Sequence, residues 1–332
     1  MDVKQIVLSN RPKGLPSKDD FRTEKITLPQ LKNDEVLIKA KYFSVDPYMR
    51  GRMNDAKSYT PPYKIEEPIV GGGIGKVLES KSNHFKKDEI VQGHFPWATE
   101  FIAKAENLQK INTALAPAPY YLGILGMPGL TAYFGLIHIG KPKEGETVVI
   151  SGAAGAVGIV VGQIAKLKGC RVVGIAGSDE KINMLMNEFQ FDEAINYKTT
   201  SDMKKAIGVA CPNGVDIYFD NVGGSISDAV ISHINFHARI VLCGQISLYN
   251  STEVPTGPRL QPMLLTRSAL MQGFIVGNFK DRFREGIEQL SQWVKDGKLK
   301  YKETTIEGFD KLPEAFLGLF SGENKGKMVV KV

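Results

Sequence analysis

The stretch TVVISGAAGAVG, residues 147–158, decides the fold. Its first five residues predict a short buried strand, and the glycines that follow predict a tight turn. Beyond the turn, one face of a predicted helix contains Val157, Val160, Val161, Ile164 and Ala165. Strand, glycine loop and amphipathic helix in this order predict a site where backbone N–H groups and a helix N-terminus bind a pyrophosphate.

The loop departs from the dinucleotide-binding pattern GxGxxG, because Ala153 occupies the position of the first glycine. Taken alone, such a match also fits an ordinary glycine-rich turn. The context favours the nucleotide interpretation, since the loop opens a series of six strand-like apolar runs separated by helical patterns. These runs are Thr147–Ile150, Arg171–Ala176, Ala194–Tyr197, Val215–Phe219, Arg239–Cys243 and Gly273–Val276.

The series divides the chain into regions. Residues 1–120 contain short strands of alternating polarity, such as EVLIKA at 35–40, which indicates an antiparallel, barrel-like β domain. Residues 121–297 form the predicted doubly wound parallel domain, which ends with a long helix at Phe283–Lys295. Residues 298–332 then predict strand, helix and strand, and we expect them to return to the first domain. The predicted fold class is therefore α/β.

Composition and charge exclude several function classes. The chain has 332 residues, 42% of them hydrophobic, and a net charge of +6 that is scattered rather than clustered, which disfavours nucleic-acid binding. The three cysteines, Cys170, Cys211 and Cys243, lack ligand spacing and suggest a reducing, cytoplasmic location. Residues 1–8 alternate like a strand, so we expect no signal peptide.

One segment is long enough and sufficiently free of charge to suggest a membrane span. Leu115–Gly140 contains no Asp, Glu, Lys or Arg, but Pro117, Pro119, Pro128 and five glycines would interrupt a continuous helix. We expect a buried connection between two domains and no membrane partner.

The end of the second parallel strand indicates which cofactor binds. An NAD-binding protein places a carboxylate there, against the ribose hydroxyls, but this strand ends in Gly177-Ser178. Asp179 and Glu180 fit the first turn of the next helix. Lys181 lies close enough in sequence to face a phosphate, although an ordinary solvated helix lysine is the alternative. The pattern favours NADP over NAD.

The sequence lacks the residue patterns that metal catalysis, serine hydrolysis and phosphoryl transfer require. The first domain contains no cysteine, and its histidines, His84 and His94, lack ligand-spaced partners, which disfavours a catalytic zinc or any other metal site. The chain contains neither a GxSxG elbow nor a Walker lysine, so serine hydrolysis and phosphoryl transfer are disfavoured.

The chain resembles the zinc-free NADP-dependent double-bond reductases of the medium-chain dehydrogenase/reductase superfamily, the group of prostaglandin, alkenal and curcumin reductases. The matching stretches extend across nearly the whole chain. They are SVDPYMR at 44–50, GMPGLTAY at 126–133, the loop at 152–158, GSDEK at 177–181, NYK at 196–198, YFDNVGG at 218–224 and CGQISLYN at 243–250. The chain departs from the pattern at 187–191, where it has one extra residue.

The resemblance implies a GroES-like catalytic domain with an inserted Rossmann domain, often assembled as a homodimer. It implies pyrophosphate contacts from Gly155, Ala156, Val157 and Gly158, and 2′-phosphate contacts from Lys181 and Tyr197. Asn221 would lie near the cofactor. The nicotinamide side would be lined by Cys243, Gly244, Gln245, Ile246, Ser247, Leu248, Tyr249, Phe274, Ile275, Val276 and Asn324.

The implied reaction transfers a hydride from NADPH to the β-carbon of an α,β-unsaturated ketone or aldehyde. The resemblance makes Tyr249 the catalytic residue, because it would hold the nicotinamide ribose hydroxyl that donates to the enolate oxygen. Tyr48, Phe95 and Trp97 are candidates for an aromatic substrate wall, with a core position as the alternative. A zinc-free quinone reductase is the nearest alternative function. A non-catalytic NADP-binding or nucleic-acid-binding protein is a more distant one.

Overall fold

A computed structural model describes residues 2–332 and divides them into two compact units. Unit 1 comprises residues up to Leu122 together with Glu303–Asn324 and Met328–Val332. Unit 2 comprises Gly123–Lys302 and the short segment Lys325–Lys327. The C-terminal part of the chain thus contributes to both units.

Most strands of unit 1 pair in antiparallel fashion. A two-stranded sheet pairs β1 with β2, and a larger sheet has the order β14-β15-β3-β4-β5-β7, with β6 also paired to β3. Alternating burial along β3 places Val36, Ile38 and Ala40 in the core. The elements are β1 Asp2–Leu8, β2 Phe21–Thr27, β3 Glu35–Ser44, α1 Tyr48–Arg52, β4 Val70–Ser80, β5 Ile90–Pro96, β6 Glu100–Lys104, β7 Gln109–Lys110, β14 Glu303–Glu307, α9 Leu312–Ser321 and β15 Lys327–Lys331.

Unit 2 contains a six-stranded parallel sheet in the order β10-β9-β8-β11-β12-β13. The order reverses between β8 and β11, and ligands of doubly wound sheets bind at this point, beyond the carboxyl ends of the strands. The strands are β8 Thr147–Ser151, β9 Arg171–Ala176, β10 Glu193–Asn196, β11 Val215–Asp220, β12 Ile234–Leu242 and β13 Leu270–Gly273. The predicted α/β class with a doubly wound parallel sheet is confirmed.

Helices follow the strands of this sheet. Helix α3 begins directly after the glycine loop, and residues 158–165 of this helix are all buried. The long helix predicted at Phe283–Lys295 has the same bounds in the structure. The α-helices of unit 2 are α2 Met127–Phe134, α3 Gly158–Leu167, α4 Asp179–Asn187, α5 Met203–Ala210, α6 Gly224–Ile231, α7 Gln261–Thr266 and α8 Phe283–Lys295.

Shorter helical turns complete the structure. Residues 115–140 contain α2 and a π-helix at Gly135–Gly140, and within residues 2–332 we find no helix of the length and apolarity needed to cross a membrane. The 3-10 helices are Lys18–Asp20, Ala105–Asn107, Ala118–Leu122, Ile246–Leu248, Val276–Arg282 and Phe309–Lys311.

The prediction of the sixth parallel strand at Gly273–Val276 is wrong. The strand is Leu270–Gly273, which pairs with Arg239–Leu242 of β12. Phe274 then packs against the rings of Phe219 and Phe279 instead of continuing the ladder. At the edge of a sheet only one neighbour fixes the strand, so an apolar run can leave the ladder to bury a ring elsewhere.

Candidate active site

The loop between β8 and α3 has the close packing that a pyrophosphate site requires. Gly152 has a φ of +59° and accepts a hydrogen bond from the backbone N–H of Gly155 at 3.0 Å. A Cβ at Gly158 would lie 2.5 Å from the carbonyl oxygen of Gly152 and 2.6 Å from the Cα of Ala153. Glycine at 158 is therefore needed to bring the helix onto the loop. The first turn of α3 contains no acidic residue, which leaves its N-terminus favourable to an anion.

The short segment Lys325–Lys327 is attached to this loop within unit 2. The Gly326 N–H donates to the carbonyl oxygen of Ala154 at 2.8 Å, and Gly326 forms a parallel bridge with Gly155. Gly326 has a φ of +70°, and a Cβ there would lie 2.0 Å from the backbone oxygen of Lys302. The segment therefore passes directly beside the glycine loop, with no space for a side chain at 326.

The carboxyl end of β9 presents a tyrosine ring and a helix cap instead of an acid. A Cβ at Gly177 would lie 2.9 Å from the ring of Tyr197, so the ring covers this backbone position. Ser178 is the N-cap of α4, and its hydroxyl accepts the backbone N–H of Lys181 at 3.3 Å. Asp179 accepts a hydrogen bond from the Asn196 side chain at 2.6 Å, which engages this carboxylate beside the strand end.

Three lysines lie close together at this strand end. Burial lowers the pKa of Lys181, and the neighbouring charges of Lys198 and Lys325 lower this pKa further. Lys325 forms an ion pair of 2.5 Å with Glu180, which in turn has a lowered pKa because of that hydrogen bond. Such a group of cations favours a phosphate over a neutral hydroxyl, which agrees with the preference for NADP that the sequence predicts.

Asp220, at the end of β11, joins the two sides of the switch point. Its carboxylate is fully buried, and Oδ1 accepts hydrogen bonds from the hydroxyls of Ser151 and Tyr218, both at 2.8 Å. The same oxygen accepts the backbone N–H groups of Val222 and Gly223, and Oδ2 accepts the side chain of Gln245 at 3.0 Å. The sequence motif contains Asp220 and Ser151, but sequence reasoning assigned no role to either.

Hydrogen bonds hold Asn221 beside Ser151 and Asp220. Its side-chain amide donates to the backbone oxygen of Ser151 at 2.7 Å, and its own N–H donates to the Ser151 hydroxyl at 3.0 Å. The backbone N–H groups of Cys243 and Gly244 donate to the backbone oxygen of Asp220 at 2.9 and 3.0 Å. The loop after β12 is therefore fastened to the end of β11.

Tyr249 folds back over this loop. The Gln245 backbone N–H donates to the Tyr249 hydroxyl at 3.2 Å, and a Cβ at Gly244 would lie 3.3 Å from that oxygen. Burial raises the pKa of Tyr249, while the hydrogen bond from Gln245 opposes the rise. A neutral phenol that already accepts one hydrogen bond still has its own proton to donate to another acceptor.

Residues 243–249 and Phe274 follow the ends of adjacent strands. Ile246 and Ser247 donate backbone hydrogen bonds to the oxygens of Asn221 and Val222, and the Phe274 N–H donates to Leu242. Burial and the charge of Asp220 raise the pKa of Cys243 to about 12, so this thiol is protonated at neutral pH. Ile275 is exposed beside Val276. Asn324 belongs to unit 1, and its cofactor contact stays a prediction.

The three candidate substrate aromatics all belong to unit 1. Phe95 and Trp97 are 1% and 0% exposed within its hydrophobic core, where Phe95 packs against Phe101 and Trp97 stacks on Phe21. These two rings thus occupy the core position that the sequence left open as the alternative, and they offer no accessible face to a substrate. Tyr48 is only partly buried and stays a candidate.

Within residues 2–332, no group of three or more His, Cys, Asp or Glu side chains is arranged to hold a metal ion. His84 and His94 both lie at the surface. Although His94 is exposed, partial desolvation of its ring and the charge of Arg52 lower its pKa.

Comparison with known proteins gives two family matches. Residues 4–111 match the N-terminal domain of oxidoreductase, and residues 156–292 match the family described as zinc-binding dehydrogenase. YfmJ of Bacillus subtilis (strain 168), named as an NADP-dependent oxidoreductase, is 60% identical over 99% of this chain and 97% of its own length.

Two further relatives have names that state a substrate. The NADPH-dependent curcumin reductase of Escherichia coli (strain K12) is 42% identical over 98% of this chain and 96% of its own length. The 2-alkenal reductase (NADP(+)-dependent) of Nicotiana tabacum is 43% identical over 99% of this chain and 97% of its own length. The chain belongs to this family of NADP-dependent reductases. It is accordingly an NADP-dependent oxidoreductase.

A solved member of the reductase family resembles the whole chain. CurA of Vibrio vulnificus in complex with NADPH superimposes with a TM-score of 0.94, 43% identity and 99% coverage of both chains. The residues present here fit such a cofactor, because the loop at 152–158 requires glycine for its packing and the β9 end has lysines where NAD-binding proteins have an acid. The expected cofactor, NADP(H), is confirmed at the level of the family.

Proposed function

We propose that this protein reduces the carbon–carbon double bond of α,β-unsaturated aldehydes and ketones with NADPH. The observation that supports this most directly is the position of Tyr249, whose protonated hydroxyl is fixed by Gln245 on the loop beyond β12. Relatives named as alkenal and curcumin reductases, both more than 40% identical, support the substrate class.

The proposed cofactor contacts follow the strand ends. Gly155, Ala156, Val157 and Gly158 would hold the pyrophosphate through backbone N–H groups, and Lys181 and Tyr197 would hold the 2′-phosphate. Asn221, residues 243–249 and Phe274–Val276 would line the nicotinamide side. When bound there, NADPH supplies the hydride.

Tyr249 would orient the nicotinamide ribose and donate a hydrogen bond to it. In our proposal its phenol binds the nicotinamide ribose hydroxyl, and this hydroxyl in turn stabilises the oxygen of the substrate as negative charge develops on it. Because Gln245 supplies one hydrogen bond to the phenol oxygen, the phenolic proton points away from that N–H. The buried Asp220 cluster keeps the loop in place, so the donor is positioned before substrate binds.

The proposal includes catalysis without zinc and a reducing cytoplasmic location, where the free cysteines Cys170, Cys211 and Cys243 would stay reduced. It also includes a homodimer. Strand β13 is one of the two edge strands of the parallel sheet, and Leu265 and Leu270 are 80% and 47% exposed near it. Pairing of two such edges would cover these side chains. Sedimentation equilibrium tests the dimer.

The proposed reaction is tested by following NADPH oxidation at 340 nm with a medium-chain alkenone and identifying the product. We expect formation of the saturated ketone, a preference for NADPH over NADH, and no loss of rate with a zinc chelator. Formation of an unsaturated alcohol, or NADPH binding without turnover of any enone, would reject the proposal.

A zinc-free quinone reductase is the second candidate. A quinone oxidoreductase of Pseudomonas syringae shares the fold at a TM-score of 0.73 and 18% identity, which supports the architecture alone. A quinone assayed in parallel with the alkenone separates the two candidates, because turnover of the quinone alone would favour the second.

A further inference from the structure

The segment Lys325–Lys327 brings a lysine to the cofactor side of the glycine loop. Gly326 is fixed by its hydrogen bond to Ala154 and by the bridge to Gly155. Lys325, one residue earlier, extends to Glu180 in the first turn of α4. A lysine is thereby placed between the loop proposed for the pyrophosphate and the strand end proposed for the 2′-phosphate.

We infer that Lys325 is a specificity-determining residue that leaves Glu180 and binds the 2′-phosphate when NADPH occupies the site. The inference rests on the proposed assignment of Lys181 and Tyr197 to that phosphate. It adds a third residue, and a second cation, from a distant part of the chain, and it gives Glu180 the role of a temporary partner.

The contacts of Lys325 favour such an exchange. The Lys325 side chain is 36% exposed and that of Glu180 is 72% exposed, so their ion pair is in contact with water. Exposed pairs contribute little to stability, and a carboxylate with one negative charge competes weakly with a phosphate that has nearly two. Separation from Glu180 therefore costs little, and the phosphate offers a stronger charge-assisted hydrogen bond.

The surrounding charges are consistent with a shared anion site. Burial, and after it the charges of Lys198 and Lys325, lower the pKa of Lys181, so both neighbouring ammonium groups lie near enough to repel that of Lys181. A phosphate among them would relieve this repulsion. Glu180 provides part of that relief at present, because it is the negatively charged partner of Lys325.

The test uses two probes that differ by one phosphate, 2′,5′-ADP and 5′-AMP, with isothermal titration calorimetry on the full chain. For Lys325→Gln we expect about tenfold weaker binding of 2′,5′-ADP and unchanged binding of 5′-AMP. Glu180→Gln removes the competing carboxylate and should tighten 2′,5′-ADP binding by about threefold. Lys325→Arg should retain the preference for 2′,5′-ADP.

Lys166 provides a matched control. Its side chain is 33% exposed and pairs with Asp192 at 2.6 Å, but that pair lies at the amino end of β9, where Asp192 accepts the Val172 N–H. Lys166→Gln removes the same charge and should change the affinity for neither probe. Thermal unfolding of each variant shows whether its fold is retained.

Parallel titration of Lys181→Gln separates the two proposals. If Lys325→Gln affects both probes equally, or neither, while Lys181→Gln weakens 2′,5′-ADP alone, the role of Lys325 is rejected and the phosphate site stands. If Lys181→Gln also has no selective effect, the assignment of the phosphate site itself is rejected. None of these titrations depends on enone turnover.

Discussion

Two polar clusters of unit 2 use opposite environments. The Asp220 cluster is fully buried, and its carboxylate accepts hydrogen bonds from three side chains and two backbone N–H groups. The lysine cluster of Lys181, Lys198 and Lys325 lies near the surface, with Glu180 mostly exposed. Water weakens the second set of interactions but not the first. The comparison indicates that the buried cluster fixes the framework, whereas the exposed cluster can exchange partners with a ligand.

The largest expected effect follows removal of the buried carboxylate. Asp220→Ala leaves the hydroxyls of Ser151 and Tyr218, the amide of Gln245 and two N–H groups without their acceptor. We expect the free energy of unfolding to fall by about 3–5 kcal/mol, measured by urea unfolding followed by circular dichroism.

Two variants sharpen this result. Asp220→Asn keeps one acceptor oxygen but turns an amide toward Gln245, so we expect a smaller loss than with alanine. Asp281→Ala, at an exposed position, serves as the control and should change stability by less than about 0.5 kcal/mol. Equal losses in Asp220→Ala and Asp281→Ala would refute a structural role for the buried cluster.

The second prediction concerns Tyr249, which is partly buried and is thus intermediate in exposure between the Asp220 cluster and the lysine cluster. Tyr249→Phe removes the hydroxyl that accepts the Gln245 N–H. We expect kcat with an alkenone to fall about 10- to 100-fold, while the KM for NADPH rises much less. Steady-state kinetics at saturating cofactor provide the measurement.

Tyr121→Phe is a suitable control, since the Tyr121 hydroxyl only donates to the backbone of Asn112 in unit 1. Its kcat should match the unmodified protein. A Tyr249→Phe enzyme with unchanged kcat would remove Tyr249 from the catalytic proposal and leave the NADPH site intact.

The third prediction concerns the glycine loop beside both clusters. An alanine at 158 would place Cβ within 2.6 Å of two backbone atoms, which side-chain rotation cannot relieve. We expect Gly158→Ala to weaken NADPH binding by about tenfold to a hundredfold through displacement of the loop. Gly51→Ala, where no atom lies within 4 Å of the added carbon, should have no effect on the affinity. Fluorescence titration with NADPH measures both.

Most elements of unit 2 could be predicted from the sequence, but the last strand of its sheet could not. The glycine loop, the strands up to β12 and helix α8 follow from local periodicity, and the structure places them at or within a few residues of the predicted positions. Edge strand β13 could not be placed, because Phe219, one of the two aromatic partners of Phe274, is distant in sequence. Local patterns do not report such contacts.

The same reason explains what sequence reasoning missed in the site. The hydrogen bond between Ser151 and Asp220 joins residues 69 positions apart, and the pair of Lys325 with Glu180 joins residues 145 apart. Each residue, taken alone, is equally typical of an ordinary strand end or a solvated surface charge without a functional role. Only the topology brings the ends of β8 and β11 together and returns the C-terminal segment to the loop.

The smallest expected effect is the response of the lysine cluster to salt. The Debye length falls from about 10 Å at 0.1 M to about 3 Å at 1 M, so added NaCl screens exposed charges before buried ones. We expect the preference for 2′,5′-ADP over 5′-AMP to fall severalfold between about 0.02 and 0.5 M NaCl, because Lys325 and Lys198 contribute through exposed charges. Over the same range, the stability difference between the unmodified protein and Asp220→Asn should stay constant, since the buried carboxylate is shielded from ions. A preference that does not change with salt would mean that short hydrogen bonds, such as one from Tyr197, dominate the recognition of the phosphate, and the exchange of Lys325 would then contribute little.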